Sequence, residues 1–447
     1  MYFTVCIRMN KSIIQRFAKI DILRVFSLNA VATLVKMLTG LISVKVVAAL
    51  IGPAGVALLG QLNNFNSILL GAANGGINNG ITKYVAEHKE DEGEIKSLLS
   101  NALKITLFFT TIISLALILF HNRFSQWIMM SDEYGYVFLV FGFTIVLYTL
   151  NALLISVVNG YKEFKKYVRI NISGSIIGVI FSVSMVLLWG LPGALMSAVS
   201  YQSVVFFVTL WLCRKCPWFK KNNFRGKFEP AVAKKYLKYS AMTLVTLCMV
   251  PVSQIILRGY VISEISPVEA GWWEGMNRIS HMYLNIITTS FTVYYLPRLS
   301  EIQDKYELKK EIFRCYKVIV PILLVSILAI YLLRKVVIWI LFSPEFYPME
   351  AFFGWQLAGD FFKITSWLLA FLMVAKAMTK HFIATEIIFS LIFVALGFVL
   401  VRINGTIGLT QAYLLNYVLY LIIMIIFFKD ILTAKPTQLN NETTTNN

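Results

Sequence analysis

The sequence predicts an all-α integral membrane protein of about twelve transmembrane helices, and three observations carry that prediction. Hydrophobic residues make up 58% of the chain and charged residues only 14%, against about 25% charged in a soluble globular protein. Many apolar runs reach the roughly 20 residues that a helix needs to cross a bilayer, for example 105–120, extended upstream by 98–103, and 383–401. Their hydrophobic period is not two, which excludes a β-barrel. The length of 447 residues would otherwise suggest two or three soluble domains.

In chain order the predicted spans are 23–50, 54–81, 98–120, 136–160, 168–189, 191–213, 239–261, 271–297, 318–342, 350–377, 382–401 and 406–428. Residues 1–22 carry Arg8, Lys11, Arg16 and Lys19 but no compact apolar core ending in a small-residue cleavage site. They read as a cytoplasmic lead-in rather than a signal peptide, with Met9 as a second candidate start.

The connections sort by charge. One set is the N-terminus, 82–97, 161–167, 214–238, 298–317, 378–381 and the tail; with Arg169 and Lys380 it holds 29 of the 41 Lys and Arg. The other set is 51–53, 121–135, 190, 262–270, 334–349 and 402–405, and it holds only Arg123, Arg334, Lys335 and Arg402. The positive-inside rule assigns the first set to the cytoplasm. Both termini are then cytoplasmic, which requires an even number of spans. The formal net charge of +18 is therefore mainly a topology signal. The basic connection 214–238 lies beside a membrane exit, where basic side chains meet anionic lipid heads, and no nucleic-acid partner is expected.

That connection is the longest hydrophilic one, with six spans before it and six after. The expected organisation is the lead-in at 1–22, an N-terminal six-helix bundle at 23–213, a basic cytoplasmic linker at 214–238, a C-terminal six-helix bundle at 239–428 and a polar cytoplasmic tail at 429–447. A faint internal echo supports two halves. Span 2 is entered at Gly52-Pro53-Ala54-Gly55 and span 8 at Ser266-Pro267; Pro53 to Glu87 and Pro267 to Glu301 are both 34 residues apart. Even numbers of helices per half imply parallel repeats, which place a substrate site at their interface near mid-bilayer.

Charges inside spans point to function. A Lys, Arg or Asp at a helix centre costs about 2.5–3.5 kcal/mol on insertion scales, so such residues face a cavity or one another. The candidates are Lys36 and Lys45 in span 1, Arg258 in span 7, Glu274 and Arg278 in span 8, and Asp360, Lys363 and Lys376 in span 10. Lys36 lies near mid-span. Lys45, Arg258 and Lys376 lie nearer span ends, where snorkelling to the interface is the competing reading. Glu274, Arg278, His281 and Asn285 follow spacings of 4, 3 and 4 and share one stripe, and Glu274 can pair with Arg278 one turn away. Asp360 and Lys363 are one turn apart on span 10. Asp360, Glu274 and His281 are candidate ion-coupling groups, since an intramembrane carboxylate titrates with access and neighbours. Asn63, Asn66, Asn74 and Asn78 form a polar stripe on span 2, either bonding across a helix interface or lining a wet path. Six cations against two carboxylates favour an anionic cargo.

Other chemistries find little support. Five scattered cysteines include Cys213-x-x-Cys216 without the further ligands that zinc needs. Gly71, Gly75, Gly76 and Gly80 follow no strand, so they make no nucleotide loop. No catalytic residue, metal or cofactor is expected.

The motifs then carry a resemblance. Gly52-Pro53-Ala54-Gly55, the run Asn79 to Ala86, the run Ser290 to Pro297, Trp355 to Asp360 with Lys363, and Val374-Ala375-Lys376-Ala377 are similar to those of the bacterial Wzx-type flippases. These flippases serve O-antigen and enterobacterial common antigen (lipid III), within the multidrug/oligosaccharidyl-lipid/polysaccharide exporter superfamily that includes the MATE exporters. The likeness runs from about residue 28 to 428. It implies a two-lobed, twelve-helix transporter of the inner membrane working by alternating access. The implied cargo is an undecaprenyl-pyrophosphate-linked glycan, carried with or without proton or cation antiport. Membrane lipids, a glycan polymerase and a chain-length regulator are the implied partners. Lys36, Lys45, Asp360, Lys363 and Lys376 sit at positions like the family pattern, whereas Arg278, His281, the lead-in and the tail depart from it. The alternatives are a small-molecule exporter of the same superfamily and, from another class, a membrane glycan polymerase or ligase. The cavity sign argues against cationic drugs. A polymerase or ligase is expected to carry a larger periplasmic loop than the roughly 15 residues available here, and a lipid II flippase to carry extra helices.

Overall fold

The computed structural model describes residues 21–435, and everything described is helix or connecting turn. Residues 1–20 of the predicted lead-in (1–22) and the end of the predicted tail at 436–447 lie outside the described residues. The chain packs as two units, one reaching Ile255 and the other starting at Ile256. The division falls inside a helix, Pro230–Glu264.

In the first unit a helical run covers Asp21–Ala73 and is broken at Gly52 (φ 65°, ψ −177°). We label its arms α1 (21–51) and α2 (53–73). After α3 (Asn78–His88), α4 (Glu92–Leu119) and α5 (Gly135–Gly160) comes a second broken run, Phe164–Cys213. It bends at Gly190 (φ 57°, ψ −131°) into α6 (164–189) and α7 (191–213). α8 is Pro230–Glu264. At both breaks one residue with positive φ makes the whole hairpin, a conformation that only glycine adopts readily.

The second unit takes the end of α8 and then α9 (Pro267–Ser290), α10 (Lys305–Leu332), α11 (Arg334–Leu341), α12 (Phe353–Ala375), α13 (Thr379–Asn404) and α14 (Ile407–Phe427). Among the described residues, nine helices are long and apolar enough to cross a membrane. Two of them are the broken runs, each holding two spans. α9 falls outside the nine because Glu269, Glu274, Arg278 and His281 dilute its apolar character. Counting both arms of each run and adding α9 gives the twelve spans expected.

Several boundaries differ from the sequence reading, among them those of span 7, whose helix starts at Pro230 and not at 239, and span 3, whose helix starts at Glu92 and not at 98. Span 2, expected to run to residue 81, stops at Ala73, because Gly75 and Gly76 both adopt positive φ (60° and 65°). Span 9 starts at Lys305, well before residue 318, and ends at Leu332, with α11 following as a separate helix. Asp304 begins it early by accepting from the Glu307 amide at 2.8 Å, satisfying one of the free first-turn N–H groups. Span 8 ends at Ser290 and continues through a wide π turn, Phe291–Tyr295, into Leu296–Glu301.

Each unit has its own core. In the first, Leu62, Phe138, Phe141 and Ile145 are fully buried in one cluster, and Leu99, Val157 and Tyr236 in another. In the second, Leu299, Leu323, Leu368 and Met424 form the buried centre. The second unit also has two recognisable ends. At one, Thr406 donates to Glu269 (2.5 Å) and Trp272 Nε1 donates to the Glu345 carbonyl (2.9 Å). At the other, Lys376 donates to the Ile302 carbonyl and Lys309 to the Ala434 carbonyl (3.0 Å). The second end carries the basic connection 298–317.

Candidate functional site

α9 is the polar helix of the second unit, and its stripe organises the site. Ser266 caps it by accepting from the Val268 amide (3.1 Å), with Pro267 at the first helical position. From that start, Glu274 and Arg278 fall one turn apart, and Arg278 Nε donates to Glu274 Oε1 at 2.9 Å. The other carboxylate oxygen takes a hydrogen bond from Arg258 Nη2 of α8. One carboxylate thus lies between two guanidiniums whose side chains are 0% and 16% exposed. The Arg258 guanidinium also stacks over the Trp273 ring, 5.4 Å from its centre.

This corrects the reading of Arg258 as a snorkelling or cargo-facing residue. It is fully buried and held by Glu274. The balance of the cluster is one positive charge, and its open side is Arg278.

A second cluster centres on Asp360 of α12, which is fully buried. Its carboxylate accepts from Ser280 Oγ (2.6 Å) and Tyr283 OH on α9 and from Tyr413 OH on α14 (2.8 Å). Three hydroxyls from two other helices thus converge on one buried carboxylate. The expected Asp360–Lys363 pair is not formed. The Lys363 ammonium instead lies over three rings, Trp367, Tyr413 and Tyr417, at 5.1, 5.4 and 5.3 Å from their centres. Hydroxyls occupy the carboxylate and aromatic faces hold the cation, so shared helix face did not become contact. Glu386 of α13 lies within electrostatic reach of Lys363. His281, exposed on α9, lies within reach of both Glu274 and Lys363.

The remaining predicted residues divide. Lys36 is exposed and Lys45 half-buried on α1. Asn63 is exposed on α2, but Asn66 and Asn74 are buried and bonded to the carbonyls of Ala198 (3.3 Å) and Leu70 (2.8 Å). Asn78 lies beyond the Gly75–Gly76 turn, so the continuous asparagine stripe does not exist. Asn66 ties α2 to α7, whereas Asn74 bonds only back to the carbonyl four residues before it. Lys376 follows the last residue of α12 and is tied to the Ile302 carbonyl, which fixes it to a connection.

The cysteine pair at 213 and 216 is reduced and buried. Lys166 Nζ donates to Cys216 Sγ (3.0 Å) and pairs with Glu163 (2.6 Å). Burial pushes the Cys216 thiol above its ordinary range, and the Lys166 hydrogen bond opposes that without reversing it. Among the described residues no group of three or more His, Cys, Asp or Glu is placed to hold a metal.

Sequence reasoning missed the partners supplied by other helices: Arg258 as counter-ion, Glu386, and the hydroxyls of Ser280, Tyr283 and Tyr413. One signal was visible. Tyr413, Tyr417 and Tyr420 recur at spacings of 4 and 3, a polar-tipped aromatic stripe facing α12.

Comparison with known proteins adds a family. A family model for polysaccharide biosynthesis proteins matches residues 22–303. The lipid III flippases of Escherichia coli (strain K12) and Shigella flexneri are each 28% identical over 392 residues, covering 88% of this chain and 94% of theirs. Among solved structures, an inward-facing multidrug resistance MATE family transporter of the MOP superfamily superposes with a TM-score of 0.70 at 12% identity, covering 88% of this chain and 94% of its own. The lipid II flippase MurJ in an inward closed conformation gives 0.67 at 16% identity, covering 90% and 89%. The fold is that of these two-lobed transporters.

Proposed function

The chain belongs to the polysaccharide biosynthesis protein family, and from that membership we propose that it is a flippase, not an enzyme. Its cargo is an undecaprenyl-pyrophosphate-linked oligosaccharide, the repeat unit of an O-antigen or of enterobacterial common antigen. It carries that cargo from the inner to the outer leaflet of the bacterial inner membrane by alternating access. The observation that carries the reading is the near full-length match to two lipid III flippases. The charge around Arg278 agrees with it, since one carboxylate, Glu274, is shared between two arginines. A pyrophosphate is the anion that such a guanidinium suits. The multidrug-exporter alternative has only the shared fold behind it.

Arg278 and Lys363 of the second unit bind the pyrophosphate and sugar head, while the polyprenyl tail stays in lipid; Lys36 of the first unit is assigned to the cargo by its mid-span charge alone. Each changed to Ala should lower surface glycan in cells while membrane protein levels hold. Normal surface glycan in all three variants would overturn the assignment of these residues.

Asp360 is the coupling group. Protonation would remove the charge to which Ser280, Tyr283 and Tyr413 donate, so the packing of α9, α12 and α14 answers to its ionisation. In proteoliposomes, flipping by the parent should move a lumenal pH dye, and Asp360→Asn should abolish that response. Flipping indifferent to every ion gradient would mean facilitated movement without antiport. A glycan polymerase and a chain-length regulator are the partners expected to receive the cargo.

A further inference from the structure

At the end of the second unit away from its basic connection lies an open groove of about 850 Å³, comparable in volume to sites that hold small organic molecules. It is separate from the two clusters described above. Its walls are Tyr331 at the end of α10, Arg334 at the start of α11, Tyr347 and Glu350 on the short turn Pro344–Phe352, and Trp355 on α12. Tyr331, Tyr347 and Trp355 are 42%, 39% and 45% exposed, which leaves aromatic surface accessible to a ligand. Gly354 keeps room between them: a Cβ there would meet only the Tyr331 ring edge, at 3.9 Å.

The polar groups are arranged as a neutralised pair. Arg334 Nε donates to Glu350 Oε1 (2.9 Å), and Arg334 Nη1 donates to the Tyr331 carbonyl (2.9 Å). The guanidinium stacks over the Tyr331 ring at 4.5 Å. Lys335 stands at the rim, 3.9 Å from the other oxygen of Glu350. A phosphate site needs uncompensated cations; here Arg334 is matched by Glu350, and the second cation, Lys335, is 71% exposed to solvent at the rim. What remains is flat aromatic surface beside a fixed donor and acceptor. Aromatic rings accept an apolar face, and the Arg–Glu pair keeps free N–H groups and lone pairs at its edge. A pyranose ring offers one C–H face and a rim of hydroxyls, which is the complementary shape.

We propose that this groove is a binding subsite for neutral pyranose rings of the glycan, stacked on Tyr347 and Trp355 and hydrogen-bonded by Arg334 and Glu350. The inference rests on the flippase reading and names where the sugar portion is held at the end remote from the basic connection. The floor of the groove joins it to Asp360. Ala358 and Leu414 line the floor and flank the point where Gly359 meets α14, so closely that a Cβ on Gly359 would sit 2.4 Å from the Tyr413 ring. The same contact delivers the Tyr413 hydroxyl to Asp360. A sugar seated in the groove would therefore lie against the helix pair that satisfies the buried carboxylate.

The test uses the full-length protein in phosphatidylcholine nanodiscs, with cellobiose and chitobiose as sugar probes and glycerophosphoethanolamine as a lipid-head probe. Saturation-transfer NMR should show transfer to pyranose C–H protons of at least one disaccharide. The signal should fall about fivefold in Trp355→Ala and Tyr347→Ala, the size expected for a lost stacking contact, and persist in Trp355→Phe. No transfer to either disaccharide, or transfer unchanged in both Ala variants, would overturn the subsite. So would displacement of the sugar by glycerophosphoethanolamine, which would assign the groove to bilayer head groups. Flipping of a lipid-linked oligosaccharide, measured on the same preparation, separates the two readings. Flipping without sugar binding removes only the subsite, and sugar binding through Trp355 without flipping removes only the flippase.

Discussion

At the scale of the residue, Glu274 is the side chain on which the buried charge of the second unit depends. It is the counter-ion of Arg258 and Arg278 together, so the two partners are not equivalent to it. Glu274→Gln leaves two guanidiniums facing each other without compensation, a loss of about 3–5 kcal/mol for a broken buried pair. Arg258→Met removes the deeper cation but leaves the Glu274–Arg278 pair intact. Thermal unfolding in one detergent should therefore show a much larger drop in Tm for Glu274→Gln than for Arg258→Met. Equal drops would mean that Glu274 does not hold both arginines. The sequence made part of this legible. The 274–278 spacing forecasts the pair, because residues four apart on a helix are neighbours. It does not forecast Arg258, whose partner sits on another helix. It misled at Asp360 and Lys363, because a shared face says where two side chains start and not what they reach.

At the scale of the element, three hairpins share one pattern, Gly-x-x-Gly: Gly52 and Gly55, Gly190 and Gly193, Gly405 and Gly408. The first glycine of each takes positive φ and turns the chain. The second allows the departing helix to lie against the arriving one. A Cβ on Gly193 would sit 1.9 Å from the Met185 carbonyl oxygen, and one on Gly408 would sit 2.2 Å from that of Leu400. Those neighbours are backbone and cannot rotate away. Gly193→Ala should therefore splay α6 from α7 and sharply lower Tm or expression. Gly40→Ala, where a Cβ would meet nothing within 4 Å, should be neutral or stabilising by up to about 1 kcal/mol. Comparable losses in both would show that close approach is not what Gly193 provides. The hairpins were legible because a glycine with few polar neighbours between two apolar runs leaves no other place to turn. The break after Ala73 was not, because Gly75-Gly76 lies inside an apolar run and hydrophobic period carries no information about φ.

At the scale of the whole molecule, charge separates two sets of connections, and from that asymmetry we propose the orientation in the membrane. Connections holding 29 Lys and Arg alternate with connections holding four. Translocating the first set would move many more cations than translocating the second, which is the physical content of the positive-inside rule. The residues at the two ends of the second unit agree with the alternation, since 262–270, 334–349 and 402–405 meet at one end through Trp272 with Glu345 and Thr406 with Glu269. The twelve spans were legible because length and apolarity are properties of the chain itself. α9 escapes that test, because Glu269, Glu274, Arg278 and His281 interrupt its apolar run. The orientation predicts a labelling pattern in a cysteine-free background, where Glu345→Cys and Lys305→Cys are both on exposed positions. In cells with a permeabilised outer membrane, an impermeant maleimide should label Glu345→Cys at once and Lys305→Cys only after the inner membrane is opened. The opposite order would invert the molecule. It would put the aromatic groove on the side where cargo is loaded and the basic connections on the side where it is released, against both the insertion rule and the direction of transport proposed.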